Sequence, residues 1–235
     1  MGTYIGFAKG ENDSSATTLT TDTTLNVQVG DVLVGAAMFE LGTDTTFSFS
    51  DTAGSTLTLG TKRTHSGNNL IAQPFILAVT SANTANTVTF TLGAARQYRS
   101  LVVGQYRGLA ASIVDEEFLD VTSASPSTIS TPNVTFGGAG ILVGLFAPYS
   151  NNPFTVASPF TERYDAGTYR VGLFDRDIPS SGNYPATLTQ TSTDALLFGV
   201  GLEDSSGGPI VPTLSAPGVQ DITSTSARPK VTLTY

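Results

Sequence analysis

The sequence predicts an all-β protein, a β-sandwich of jelly-roll type with two pseudo-repeated halves and a C-terminal strand-pair arm. Three observations carry this. Short apolar or alternating runs of strand length recur about every ten residues. Clusters of Gly, Asn, Asp, Ser and Pro stand between them, and no run keeps a helical period. Only 13% of residues are charged against 40% hydrophobic, so the remaining surface is dominated by Thr, Ser, Gly and Asn, side chains suited to the solvent face of an antiparallel sheet.

In chain order, strands are predicted at 24–29, 32–39, 46–49, 57–59, 70–79, 87–92 and 101–106, then at 141–146, 160–164, 169–174, 186–189 and 195–202. The clusters "DTAGS", "HSGNN", "TSANTANT", "YSNNP" and "SSGNYP" supply the turns. One stretch, "GLAASIVDEEFLDV" at 108–121, admits a short helix with Ile113, Val114, Phe118 and Leu119 on one face. Its neighbours on both sides are extended, which favours an irregular connection with an edge strand. Leu33, Val102, Leu142 and Leu197 fall at strand centres and are expected in the core.

The chain repeats itself. "VGDVLVGAAMFE" (29–40) is answered by "GAGILVGLFAPY" (138–149), and "ANTVTFTLGAARQYRSLVVGQYRG" (85–108) by "GNYPATLTQTSTDALLFGVGLED" (182–204). Residues 1–205 are therefore expected to form one sandwich body with the paired apolar strands at its centre. Beyond it, "DSSGGPIVP" (204–212) has hinge composition, and 206–235 form a hinge and β-arm. Val219, Ile222, Val231, Leu233 and Tyr235 are spaced as strands with something to bury. Two strands alone bury too little to be stable, so the arm is expected to pair in trans with a neighbouring subunit or a capsid protein by strand addition; the alternative is that it packs back on its own sandwich as edge strands.

Composition excludes several function classes. A net charge of −8 with eleven scattered basic residues argues against a nucleic-acid partner, which needs clustered Lys and Arg. The chain has no cysteine and a single His, so thiolate and polyhistidine metal sites within one chain are excluded. No apolar run reaches the ~18 residues of a membrane helix. The start, "MGTYIGFAKGENDSS", lacks the basic and apolar regions of a secretory signal, and Gly6 stands where myristoylation needs Ser or Thr. The expectation is a protein made in the cytoplasm and not exported by a cleaved signal.

Four constellations invite chemistry. Asp115, Glu116, Glu117 and Asp120 cluster, but neighbouring acids on an extended chain point to opposite faces, so a solvated connection is expected rather than a glycosidase pair. Asp175 and Asp177, two apart at a strand end before Ser180, Ser181 and Asn183, offer hard oxygen ligands for Ca²⁺ without a complete loop signature; the alternative is a strand end with Arg176 facing outward. His65 lies in a Gly- and Asn-rich turn and is expected to be exposed. Tyr149 and Phe154 flank an Asn-rich loop, "APYSNNPF", where the rings could stack on sugar while Asn151 and Asn152 bond hydroxyls; otherwise they cap the sandwich end. No serine stands in a nucleophile elbow, and no catalytic residue or enzyme activity is expected.

Gly30, Asp31, Leu33, Asp51, Gly54, Asn86, Thr87, Tyr98, Tyr106 and Gly108 form a recurrent pattern, "vqvGDvLv…sDtaGstlt…aNTvTftl…yrslvvgqYrGl". This pattern resembles a β-sandwich module of tailed-phage virion proteins and of secreted bacterial surface proteins, over residues 20–205. The last 24 residues resemble the immunoglobulin-like tails of phage structural proteins. The resemblance implies a virion structural protein, a capsid decoration (cement) or head-spike protein working by adhesion to the shell. A homo-oligomer, a trimer by preference, and a major capsid or other virion protein as partner follow from it. The rival expectation is a carbohydrate-binding or adhesin module for host-surface glycans.

Overall fold

A computed structural model of the chain describes residues 2–40, 46–67, 70–122, 127–149, 153–165, 171–191 and 194–205; all the regular structure there is β-strand. The first half holds β1 (Thr3–Asn12), β2 (Ala16–Thr20), β3 (Leu25–Val27), β4 (Val32–Glu40) and β5 (Phe47–Asp51). It continues with β6 (Thr56–Leu59), β7 (Arg63–Thr64), β8 (Ile71–Ala78), β9 (Asn83–Asn86) and β10 (Val88–Arg107). The second half holds β11 (Asp115–Val121), β12 (Ser127–Ser130), β13 (Val134–Phe136), β14 (Gly140–Pro148) and β15 (Phe154–Thr155). It ends with β16 (Thr161–Tyr164), β17 (Gly172–Ile178), β18 (Gly182–Tyr184), β19 (Thr187–Gln190) and β20 (Ala195–Glu203). The residues expected to form the hinge and arm, 206–235, with Val219, Ile222, Val231, Leu233 and Tyr235 among them, lie outside the described residues.

The two halves share one topology. The inner sheet of the first runs β1-β10-β4-β8-β6, that of the second β11-β20-β14-β17-β16, antiparallel throughout. Over each lies a small outer sheet, β2 and β5 on the first part of β10, and β12 and β15 on β19. The pairs β3–β9 and β13–β18 correspond as well. Gly35 of β4 lies opposite Phe75 of β8, as Gly144 of β14 lies opposite Phe174 of β17. A methyl group on Gly144 would sit 2.1 Å from the Phe174 ring, and one on Gly35 2.2 Å from the Val102 carbonyl oxygen. The shared "LVG" is thus a steric requirement of the repeat.

Burial explains the layering. Every residue of β4 and β14 is buried, as befits strands covered on both faces. Leu33, Ala37 and Phe39 face the first lobe's own core with Phe49, Phe75 and Phe90. Leu142 and Phe146 face the second lobe's core with Phe136, Phe174 and Leu188. The opposite faces, Val32, Val34, Ala36 and Met38 with Ile141, Val143, Leu145 and Ala147, meet in a third cluster between the lobes. The body is therefore a sandwich of four layers, its two halves back to back, with the paired apolar strands β4 and β14 at its centre as expected. Leu33, Val102, Leu142 and Leu197 are all fully buried.

Across this seam β4 packs on β14, β10 on β17 and β8 on β20. At the edges, Phe7 of β1 meets Tyr164 of β16, and Arg63 of β7 covers Phe118 of β11. The inner sheets thus stack in reversed order, so the lobes are related by an approximate twofold axis through β4 and β14.

Two elements differ from expectation for local reasons. The strands predicted at 87–92 and 101–106 are one continuous β10. It pairs with the outer strands first, then shifts register and crosses to the inner sheet. Tyr98 takes φ 50° in the crossing, and buried Arg99 ties the corner by donating to the carbonyls of Ser14 and Thr18. β1 went unpredicted because its inward positions include Gly6, Ala8 and Gly10 while Ile5 and Phe7 stand exposed, so the sequence shows no apolar alternation. The 108–121 stretch is, as expected, an irregular connection leading into an edge strand, β11 beside β20, so the helical alternative is not realised.

Candidate functional site

The residues carrying the recurrent pattern of the first half hold the fold. Asp31, after the turn at Gly30 (φ 88°), accepts from Gln28 N (2.9 Å), Gln105 Nε2 (2.6 Å) and Arg107 Nε (2.7 Å). Burial pulls its pKa upward, yet Arg107 and the amide donors win and hold it below the ordinary carboxylate value. Fully buried Asn86 accepts from Ala53 N (2.9 Å) and donates to Asp51 Oδ2 (3.0 Å), closing the turn around Gly54.

Phe154 is 3% exposed, packed against Phe146 and Phe174 at 5.5 and 5.7 Å between ring centroids. Its pairing with Gln190 of β19 turns the ring into the sandwich and Thr155 outward. Tyr149 is half-buried against the seam cluster, and Asn151 and Asn152 lie outside the described residues. A sugar-stacking pair is not assembled from Tyr149 and Phe154, since Phe154 belongs to the core.

Asp175 and Asp177 share the seam face of β17, but only Asp177 is exposed. Arg163 Nε donates to both oxygens of Asp175 (3.0 Å each), its Nη2 lies 2.9 Å from Oδ1, and the Tyr106 hydroxyl donates to Oδ2 (2.9 Å). Both oxygens are taken by donors and a guanidinium stands where a cation would bind, so Asp175 is not placed to ligate Ca²⁺. Among the described residues no group of three His, Asp or Glu side chains is arranged to hold a metal ion. Burial, then the charge of Asp175, push the Tyr106 phenol well above its usual pKa. The Arg163 guanidinium also covers the Tyr4 ring at 4.1 Å. Gly2, Thr3, Tyr4, Arg163 and Asp177 border a hollow of about 330 Å³ at this end of the seam.

The repeat makes this cluster stand out. At the matching register the other lobe pairs Leu202 where this end has Tyr106, and Ile76 where it has Asp175. That other end is held by other polar contacts. Glu116 accepts Thr61 N (2.9 and 3.0 Å), and burial raises its pKa. Contrary to expectation His65 is buried, at 2% exposure, because β7 tucks it under β11. Its Nδ1 accepts Gly67 N–H (3.0 Å), which places the proton on Nε2, aimed at Val121 O (2.9 Å) with Asp120 Oδ1 at 3.2 Å. Asp120 in turn accepts from Ser66 N (3.0 Å). Three acids of β11 thus splay to different partners, Asp115 accepting from Thr135 N, Glu116 from Thr61 N and Asp120 from Ser66 N.

Arg176 is not turned outward. It takes a core-facing position of β17, between Phe174 and Ile178, with Phe160 and Tyr184 on either side at 5.3 and 5.0 Å. It borders a second hollow, of about 300 Å³, between the 157–160 loop, β17 and β19. The sequence reading missed Tyr4, Tyr106, Arg163 and Arg176 as a group. Aligning "PFILA" (74–78) with "LFDRD" (173–177) shows the signal, since Asp175 and Arg176 replace Ile76 and Leu77. No family model, curated protein or solved structure matches the chain.

Proposed function

We propose that the chain is a structural virion protein of a tailed bacteriophage, a capsid decoration or head-spike protein without enzymatic activity. It is made in the host cytoplasm and works on the particle by adhesion. The observation that carries this is the distribution of apolar surface. The large inner faces are covered within the chain by the back-to-back lobes, while the outer sheets present hydroxyl rows: Thr20 beside Thr89 (2.7 Å), Thr128 beside Thr189 (2.9 Å) and Ser130 beside Thr187 (2.8 Å). Such a block suits a projecting head that resists unfolding and adds buried area to a shell by mass action. In this reading the sequence of 206–235 supplies the attachment, pairing in trans within a trimer or with the major capsid protein.

Light scattering on the full chain and on a chain ending at Ser205 tests it. A full-length trimer and a folded, monomeric truncation are expected. Equal monomers that also leave phage shells undecorated would remove the proposal.

A further inference from the structure

We infer that the hollow beside Arg176 is a binding site for a carboxylate-bearing sugar, such as the acidic residue of an anionic polysaccharide. This is independent of the shell-protein reading, and its test involves no particle. The first ground is the position of the cation. Leu142 of β14 pairs with Arg176 as Leu33 of β4 pairs with Leu77, and Leu77 is buried in the first lobe's core. One lobe seals this position with an aliphatic side chain; the other puts a guanidinium there.

The second ground is what the guanidinium lacks. Among the described residues Arg176 has no acidic partner, and its Nε is buried without a hydrogen-bond acceptor. Arg163, on the neighbouring strand β16, has Asp175 to neutralise it. The rings of Phe160 and Tyr184 hold the Arg176 fork in place, so a bidentate acceptor would bind at little further loss of side-chain freedom.

The third ground is the lining. Pro159, Pro185 and Leu188 offer apolar surface for the C–H face of a pyranose, and Thr128, Thr187 and Thr189 complete the lining. The volume, about 300 Å³, matches one or two sugar rings at the small end of ligand sites. A single cation in a chain of net charge −8 suits a monoanionic group on an otherwise neutral polyol. A dianionic phosphate would ask for more positive charge than the lining holds.

Titration of the full chain with D-glucuronate, D-glucose and inorganic phosphate, followed by NMR shifts or calorimetry, tests this. Glucuronate should bind at least tenfold more tightly than either of the others. Arg176→Leu, which copies the first lobe, should weaken glucuronate at least tenfold while the melting temperature holds. Thr189→Val, at an exposed position, should weaken it severalfold without touching the fold, which keeps the test open if Arg176→Leu folds poorly. Absence of glucuronate binding, equal affinity for glucose or phosphate, or affinity unchanged in Arg176→Leu or in Thr189→Val would each overturn the inference.

Discussion

The first lobe and the second are built on one strand order and filled differently. The first is closed by an aromatic stack, Phe49 on Phe75 at 4.0 Å and Phe47 against Phe39 and Phe90 at 5.4 and 6.2 Å, and threaded by the unbroken β10. The second divides the corresponding path into β19 and β20 and admits charge at Asp175 and Arg176, where the first has Ile76 and Leu77. A repeated fold needs its glycines, its central apolar strands and its register. The positions around them are free to diverge, and here the divergence is concentrated on β17, with one charge toward the seam and the next toward the lobe interior.

The largest effect belongs to what the lobes share. Leu33→Asp and Leu142→Asp each bury an unpaired carboxylate and should cost more than about 4 kcal/mol, giving insoluble chains. Soluble Leu142→Asp protein with the native melting profile would break the equivalence of the lobes.

Next comes what they do not share. Asp175→Ile strands the Tyr106 hydroxyl and leaves Arg163 without its acid, a loss of about 3 kcal/mol by denaturant titration, moderated because Arg163 reaches solvent. Adding Tyr106→Leu makes this end of the seam resemble the other and should recover most of the loss, since apolar replacements of buried polar pairs are often neutral. A double variant no more stable than the single one would show that the asymmetry is not confined to the pair.

A smaller effect appears only in alkali. The phenols of Tyr106 and Tyr4 are raised above their ordinary value, chiefly by burial. The unfolded chain therefore loses these protons first, and stability, fully present below about pH 10, falls as pH rises beyond it. Tyr106→Phe should flatten that decline; an unaltered alkaline profile would count against burial of the phenol at the seam. Smallest of all, Thr128→Val on the outer hydroxyl row should change stability by no more than about 0.5 kcal/mol, read from the melting temperature, because Thr189 keeps water as a partner.

Much of this was legible in the sequence where one period governs. The runs at 32–40 and 140–148 lack alternation, so they had to be covered on both sides, and the shared glycine marked the repeat. Where a residue serves two neighbours, the pattern fails. β1 turns small residues inward and leaves Ile5 and Phe7 exposed, β10 changes sheets without breaking, and His65 looks like a turn residue until β11 lies over it. Phe154 looked like a platform because its loop is polar, yet its direction is set by a partner 36 positions on, Gln190. The seam cluster joins residues 4, 106, 163 and 175, and no local pattern links them.

The seam also has a history within each molecule's synthesis. The lobes come from consecutive stretches, with β10 ending at Arg107 and β11 starting at Asp115. The first lobe is complete while Val34, Ala36 and Met38 still lack the strands that cover them. At roughly 5–20 residues per second, that face waits on the order of 5–20 s for its complement. During the wait its best-shaped competitor is the same face on a neighbouring nascent chain, because the lobes are related by a near-twofold axis. The short connection through Gly108 to β11 raises the local concentration of the chain's own second half, and with it the odds that each molecule closes on itself.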